Sequence, residues 1–276
     1  MMKLFRTHEG GVVQRDDRYY ALGNMPWDAL LAREDAAAFL NSQITTGKLS
    51  PAAAPTHPLA PVVSQEVWAA GVTYMRSREA RMDEAKSAGG GDFYDRVYAA
   101  DRPELFFKSA GHRVIPTGGK VRIRRDSKWN VPEPELTLLI AATGKITGYT
   151  IGNDMSSRDI EGENPLYLPQ AKVYDGACAI GPCILLTDSP LPPTTQIHIR
   201  ITRDSKDIFS GATEISRIKR SLPSLAEFLF RETSFPHGAF LLTGTGVVPG
   251  DSFTLKSGDQ IAITIEPIGI LTNTVE

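Results

Sequence analysis

Residues 132–154 read PEPELTLLIAATGKITGYTIGND and decide the fold. Two apolar runs are separated by a short turn that contains Thr and Gly, which is typical of a β-hairpin. Glu133 and Glu135 lie at the start of the first run, and residues i and i+2 point to the same face of a strand. The second run ends at Asp154, so pairing of the two strands brings this carboxylate toward both glutamates.

Three converging carboxylates without basic neighbours repel one another strongly. A hard divalent cation removes this repulsion, and oxygen-only ligands favour Mg²⁺, with Mn²⁺ or Ca²⁺ as alternatives. Lys172 follows in the same part of the chain and is a candidate proton carrier beside the metal. On spacing alone, Glu133 and Glu135 are also typical of the solvent-exposed face of a strand.

The composition is that of a globular protein and excludes several classes. The chain has 276 residues, a formal net charge of −2, 41% hydrophobic and 22% charged residues. A near-neutral charge gives no support for nucleic-acid binding, which usually requires a basic domain. The N-terminus lacks the apolar core of a signal peptide, and no apolar run is long enough for a membrane helix. We therefore expect a cytoplasmic protein, in which Cys178 and Cys183 are buried free thiols.

The first 60 residues predict a small leading unit. Short strands are expected at 2–6 and 11–14, and an Ala-rich helix at 27–39 with Asp28 as its cap. The stretch 50–61 is rich in Pro and Ala and predicts an extended linker.

The remainder of the chain predicts many short strands and few helices. Apolar or alternating runs indicate strands at 67–72, 104–108, 121–125, 183–187, 196–203, 208–210, 239–243 and 260–267. Helices are predicted at 74–87, 92–100 and 224–232, the last with Ser221 or Ser224 as its cap.

The hairpin and its flanking motifs resemble the fumarylacetoacetate hydrolase family. That family carries Glu-x-Glu, then Asp, then Lys, and here the pattern falls on Glu133, Glu135, Asp154 and Lys172. The flanking motifs are GVTY at 71–74, RPELFFKS at 102–109, TGTGVVPGD at 243–251 and SGDQIAITIEPIGILTN at 257–273. The resemblance covers residues 65–276.

This resemblance implies a fold, a metal and an assembly. The fold is mainly β (α+β), a rolled mixed β-sandwich with a small N-terminal α/β unit. The boundary then falls between a leading unit and linker at 1–62 and a catalytic domain at 63–276. Glu133, Glu135 and Asp154 become the ligands of Mg²⁺, and the chain is expected to form a homodimer or homotetramer.

Within the family, the sequence departs from the hydrolases. Many of those enzymes carry a His and a Glu after the GVTY motif that activate water, whereas this chain has Ser77 and Ala80 there. Without that pair, a water nucleophile lacks its obvious base. The motifs resemble instead the sugar-acid dehydratase branch, in which the residues equivalent to Glu104 and Lys172 are proton carriers. Lys108 is assigned a structural role at the Gly-rich turn that follows it.

Four further residues are predicted to contact substrate, and two to support the metal ligands. Arg78 suits a substrate carboxylate, and Thr245 lies in a Gly-rich loop that allows close backbone approach to a ligand. The predicted substrate contacts are Ser77, Arg78, Asp175 and Thr245. Arg158 and Asp159, which follow the metal aspartate, are expected to be supporting contacts rather than ligands.

The favoured function is Mg²⁺-dependent dehydration of a 2-keto-3-deoxy pentonate to 2,5-dioxopentanoate. A 2-keto acid can chelate the metal, which stabilises the enolate formed when the C3 proton leaves. Hydrolysis of an acylpyruvate and decarboxylation of oxaloacetate remain alternatives within the family. A non-catalytic sugar-acid binding protein is the alternative from another class.

Overall fold

Strands form most of the regular structure in the computed structural model, which describes residues 1–75 and 97–276. The strands are β1 (Met2–Thr7), β2 (Gly10–Arg15), β3 (Arg18–Ala21), β4 (Ser50–Ala52), β5 (Glu66–Gly71), β6 (Glu104–Ala110), β7 (Lys120–Val121), β8 (Asn130–Val131), β9 (Pro134–Ile140), β10 (Ile146–Asp154), β11 (Ser156–Ser157), β12 (Cys178–Leu186), β13 (Gln196–Arg203), β14 (Lys206–Glu214), β15 (Ala239–Leu242), β16 (Gln260–Ile265) and β17 (Gly269–Val275). The α-helices that begin and end within these described ranges are α1 (Trp27–Leu31), α2 (Ala36–Thr45), α3 (Arg158–Glu163), α4 (Leu168–Lys172) and α5 (Leu222–Phe230). The mainly β class is confirmed.

A ten-stranded sheet has the predicted hairpin near its centre. Its order is β4-β3-β2-β1-β12-β10-β9-β15-β5-β6, and only the β15–β5 pair is parallel within it. All seven residues of β9 are buried, as a near-continuous apolar run requires of a central strand. The turn between β9 and β10 includes Gly144 at φ +86°, a conformation that favours glycine.

A second sheet packs against the first and completes the sandwich. Its order is β14-β13-β16-β17-β7. Alternate residues of β13 and β16, such as Ile199 and Ile263, are buried, whereas His198 is exposed. Leu136 and Leu138 of β9 belong to the same core cluster as these isoleucines, so this cluster fills the space between the two sheets.

The opposite face of β9 carries a second core. Leu139 packs in a cluster with Leu4, Leu31 and Ile184, which brings the N-terminal helices over this face. Strand β1 pairs with β12, so the N-terminal strands extend the large sheet. The boundary between 62 and 63 stays a prediction.

Two details of the N-terminal prediction are wrong. The single helix expected at 27–39 is two helices, α1 and α2, with a break between Leu31 and Ala36. Asp28 does not cap α1, whose N-cap is Pro26. Its carboxylate instead accepts hydrogen bonds from Ser64 Oγ at 2.5 Å and Gln65 Nε2 at 3.0 Å, because the chain after the linker returns to this helix.

The strand predicted at 121–125 is mostly absent. Only Lys120–Val121 forms a strand, and the charged residues after it lie in a turn. Arg124 forms two bonds with Asp126, at 2.8 and 2.6 Å, and this local pairing replaces the expected ladder. The C-terminal helix prediction is confirmed, and Ser221 is its cap, accepting from the Ser224 N–H at 3.3 Å.

Cys178 and Cys183 are buried free thiols, as predicted. Burial raises the pKa of each thiol to about 12, so neither is a reactive thiolate in the native state. Among residues 1–75 and 97–276, no helix is long and apolar enough to cross a bilayer.

Candidate active site

The hairpin places three carboxylates together on one face of the large sheet. Gly152 is the partner of Glu135, and the Asp154 N–H donates to the Glu133 carbonyl at 3.0 Å. Carboxylate oxygens of Glu133, Glu135 and Asp154 lie within 4.8 Å of one another. All three side chains are at least about nine-tenths buried, with 5%, 1% and 2% of their residue surface exposed. The convergence predicted from the sequence is therefore present, and the solvent-exposed alternative is wrong.

Alternation along the strand explains which face holds the site. Leu136 and Leu138 point into the core between the sheets, so Glu135 points to the other face together with Leu139. On β6, Glu104 is the partner of Gly71, and the register with β5 shifts at Lys108, which lies in a β-bulge between Phe107 and Ser109.

Three cations surround the carboxylates. Lys172 Nζ donates to Glu133 Oε2 at 2.7 Å and to Asp154 Oδ2 at 3.1 Å. Lys108 forms an ion pair with Asp154 Oδ1, and Arg158 donates to Glu133 Oε1 at 2.9 Å. Lys172 and Arg158 lie beside the carboxylates as expected, and Lys108, which was assigned to the turn after β6, is the additional cation.

The environment of Glu135 strongly perturbs its pKa. Burial, reinforced by the charges of Asp154 and Glu133, raises the pKa of Glu135 well above its usual range, although Lys172 and the Gly244 N–H oppose the shift. Gly244 donates to Glu135 Oε2 at 2.5 Å. The Gly244 N–H thus orients the Glu135 side chain. A cation bound beside it would favour the ionised form, which burial otherwise disfavours.

These residues fit a hard divalent cation. The donors are buried carboxylate oxygens within 4.8 Å of one another, which is the ligand chemistry of Mg²⁺. Cys178, the nearest sequence neighbour of the site with a soft donor, has its thiol in the apolar cluster of the N-terminal unit. Oxygen-only ligation favours Mg²⁺ over Zn²⁺ or copper.

The cavity over the carboxylates is lined by Gly244 and Thr245 in the loop after β15, and by Ala70 and Gly71 at the end of β5. Thr245 lines it and is 5% exposed, and its hydroxyl donates to the Val247 carbonyl at 3.1 Å. Gly71 lies at the rim, where an added Cβ would come within 2.1 Å of Glu104 Oε2. The Glu104 carboxylate therefore covers Gly71 at the edge of the site.

The other predicted substrate contacts are not brought to this cavity by the described part of the chain. Ser77 and Arg78 lie outside the described residues, as do most of the helices expected at 74–87 and 92–100. Asp175 is exposed and lines a separate groove with Arg122 and Tyr174. Its role in substrate binding stays a prediction.

The predictions for two residues near the site differ from the structure. Arg158 supports a metal ligand as expected, because it donates to Glu133. Asp159 instead accepts from Ser127 Oγ and the Lys128 N–H. Lys108 does not hold the turn after β6; its ammonium reaches the carboxylate centre. Strand alternation could not have placed it there, because the register of β5 and β6 shifts at Lys108.

Comparisons with known proteins agree with this geometry. The fumarylacetoacetate (FAA) hydrolase C-terminal family matches residues 67–276. A probable 2-keto-3-deoxyxylonate dehydratase of Haloferax volcanii is 48% identical over 220 residues, which cover 79% of this chain and 75% of that protein. A 2-dehydro-3-deoxy-D-arabinonate dehydratase of Saccharolobus solfataricus is 41% identical over 219 residues, covering 78% and 73%.

A solved structure resembles the whole chain. It is a 2-keto-3-deoxy-D-arabinonate dehydratase complexed with magnesium and 2,5-dioxopentanoate. The TM-score is 0.82 at 31% identity, covering 100% of this chain and 98% of that chain.

Proposed function

The chain belongs to the fumarylacetoacetate hydrolase family, and we propose that it is a Mg²⁺-dependent dehydratase of a 2-keto-3-deoxy pentonate, of the D-arabinonate or D-xylonate type. The product is 2,5-dioxopentanoate. One observation carries this function: a buried carboxylate triad with Lys172 Nζ at 2.7 and 3.1 Å from two of its members, in a chain that resembles two pentonate dehydratases.

The reaction removes one water and isomerises the product. A proton leaves C3, the bond from C4 to its hydroxyl oxygen breaks, and the hydroxide takes up a proton to become water. C5 then loses a proton as C3 gains one, and the resulting enol becomes the aldehyde when its O–H proton is lost and C4 is protonated. Atoms and electrons balance without an oxidant.

Glu133, Glu135 and Asp154 would hold the metal, and Lys172 and Glu104 would move the protons. A bound Mg²⁺ supplies the positive charge that stabilises a developing negative charge on the 2-keto oxygen. Lys172 Nζ reaches into the carboxylate centre, whereas the Glu104 carboxylate covers Gly71 at the rim. Lys172 and Gly71 line the same cavity, so both groups would lie near a substrate bound there and could exchange protons with its carbon atoms.

Substrate contacts follow from the same cavity. Thr245 and the Gly244 backbone line it, and they would meet the polar end of a keto acid. Ser77, Arg78 and Asp175 stay predicted contacts. Assembly as a homodimer or homotetramer and a cytoplasmic location also stay predictions.

An NMR time course tests this function. Purified protein with Mg²⁺ is given both C4 epimers of 2-keto-3-deoxy-D-pentonate, acetylpyruvate or oxaloacetate. We expect an aldehyde signal from one pentonate, its loss on adding EDTA, and its loss in Lys172→Ala. Lys145→Ala is the matched control, because Lys145 also contacts a carboxylate and a carbonyl but is 48% exposed.

Two outcomes would contradict the dehydratase. Pyruvate formed from acetylpyruvate or oxaloacetate, with both pentonates untouched, would show a hydrolase or decarboxylase that works without a histidine at position 77. Binding of a pentonate with no turnover at any Mg²⁺ concentration would show a sugar-acid binding protein.

A further inference from the structure

Lys108 is a fully buried cation whose charge the proposed chemistry does not use. It lies on β6 with 1% of its surface exposed. Burying an ammonium costs several kcal/mol unless charged and polar partners replace its water. A lysine is therefore kept at such a position only where its partners repay that cost.

The three N–H donors of Lys108 have three acceptors. They are the Asp154 Oδ1 carboxylate oxygen, the Met155 carbonyl at 3.0 Å and the Lys172 carbonyl at 2.6 Å. Two hydrogen bonds to carbonyls and the ion pair with Asp154 thus hold the ammonium among protein atoms. Lys108 does not line the cavity over the carboxylates, whereas Lys172 does.

The three acceptors connect different parts of the site. Asp154 ends β10, and the Lys172 carbonyl lies at the C-terminal end of α4, a helix of five residues. Carbonyls in the last turn of a helix lack intrahelical partners, and a cation there satisfies and stabilises them. A helix this short is not stable by itself, so its position depends on such contacts.

We propose that Lys108 is a positioning residue that holds the metal ligand Asp154 and the proton carrier Lys172 in one fixed arrangement. By pairing with Oδ1, it fixes the orientation of the Asp154 carboxylate, whose Oδ2 accepts from Lys172 Nζ at 3.1 Å. By binding the Lys172 carbonyl, it fixes the root of the Lys172 side chain. The role of Lys108 in placing the proton carrier Lys172 rests on the proposed function. Its role in holding Asp154 for Mg²⁺ does not depend on any reaction.

Charge and positioning predict opposite effects on metal binding. If Lys108 acted only as a nearby positive charge, its removal would tighten Mg²⁺ binding, because like charges repel. If it orients Asp154, its removal weakens binding, and loss of a group that orients a metal ligand typically costs 10–100-fold in affinity. The sign of the change therefore decides between the two.

The experiment is calorimetric titration of the metal-free full chain with Mg²⁺ alone. We expect Lys108→Met, which keeps the side-chain length without the charge, to weaken Mg²⁺ binding by about 10–100-fold. At Mg²⁺ concentrations that saturate this variant, we further expect kcat on the pentonate to stay at least about 10-fold below wild type, because Lys172 has lost its anchor. Lys145→Met, the exposed control, should leave both quantities unchanged.

A second variant covers the case in which Lys108→Met does not fold. Lys108→Arg keeps the charge but replaces a compact ammonium by a planar guanidinium that cannot meet the same three acceptors. We expect it to fold and still to bind Mg²⁺ at least about 10-fold more weakly.

Several results would overturn the inference. Tighter or unchanged Mg²⁺ binding in Lys108→Met would reduce Lys108 to a counter-charge, and wild-type affinity in Lys108→Arg would do the same. If wild type binds Mg²⁺ but leaves pentonates untouched, the proposed function fails while the effect of Lys108 on metal affinity can still be measured.

Discussion

At the scale of single residues, Glu135 controls how the site responds to pH. Its raised pKa means that the folded protein holds this proton more tightly than the unfolded chain. The stability that this adds to the metal-free protein is present at low pH and is lost as pH rises through the folded-state pKa. Bound Mg²⁺ requires the ionised carboxylate, so metal and proton compete for it.

We predict that Glu135→Gln separates these two effects. In the absence of metal, the Tm of the variant should fall less than that of wild type as the pH is raised above the usual pKa range of a glutamate, because the amide does not ionise. With Mg²⁺ at about 100 times the wild-type Kd, wild type should gain roughly 2.7 kcal/mol and the variant almost none. Differential scanning calorimetry measures both quantities.

Glu227→Gln is the control for this experiment, since Glu227 is 68% exposed and pairs only with Arg231 in the described contacts. It should behave as wild type in both conditions. A Glu135→Gln variant that keeps the full Mg²⁺-induced rise in Tm would remove Glu135 from the ligand set.

A site residue can be predicted from the sequence where a local pattern, such as strand alternation, marks its position. Glu133 and Glu135 are separated by one residue, so strand alternation alone places them on a common face. Arg158 meets Glu133, and Lys108 meets Asp154, only after distant segments come together. Such contacts leave no periodicity in the sequence, and the family resemblance located Lys172 where spacing could not.

At the scale of elements, the loop after β15 fixes Glu135 through a glycine. Gly244 has φ +90°, and an added Cβ would come within 2.0 Å of Thr73 Oγ1. That hydroxyl is held by a 2.6 Å hydrogen bond to the Thr243 carbonyl, so it cannot easily move away. The position of the N–H that binds Glu135 thus requires glycine at residue 244.

A series of three glycine substitutions tests this dependence. Gly250→Ala meets no atom within 4 Å and needs no positive φ, so its effect should be within about 1 kcal/mol. Gly258→Ala meets no atom but has φ +90°, so it should cost about 1–2 kcal/mol. Gly244→Ala combines both problems and should cost more, with weaker Mg²⁺ binding as well. Urea unfolding and Mg²⁺ titration give the two readouts.

Two results would contradict this role of Gly244. Equal losses in Gly244→Ala and Gly258→Ala would mean that backbone strain alone matters and that contact with Thr73 does not. Normal Mg²⁺ affinity in a folded Gly244→Ala would mean that its N–H does not orient Glu135.

Elements were predictable where a continuous apolar run or a capping residue agrees with the neighbouring turn signals. The hairpin of β9 and β10 follows from two apolar runs and a turn, and Ser221 caps α5 as its position suggests. The helix expected at 27–39 failed because tertiary contacts override an Ala-rich propensity. Asp28, which looked like a cap, binds Ser64 and Gln65 instead, and residues so distant in sequence cannot be paired in advance.

At the scale of the whole molecule, strand β12 belongs to both cores. Cys178 packs in the cluster shared with the N-terminal unit, and Cys183 packs in the cluster between the two sheets. Both thiols are at most 1% exposed, and burial holds the pKa of each at about 12. Each cysteine therefore reacts only when its own core opens.

We predict that the two cores open together, although the sequence suggests a boundary after residue 62. The N-terminal strands are hydrogen bonded to β12, so separating them breaks the large sheet itself. Cys183→Ala leaves Cys178 as the single reporter, and Cys178→Ala leaves Cys183. Under native conditions both should react with a thiol reagent at rates within about threefold of one another, after correction for each variant's stability. The rates should also rise in parallel with urea.

Labelling of Cys178 that is more than about tenfold faster than that of Cys183 would show that the leading unit opens alone. The boundary at 62 would then separate two cooperative units, and the chain 63–276 would be expected to keep its Mg²⁺ site without the residues before it.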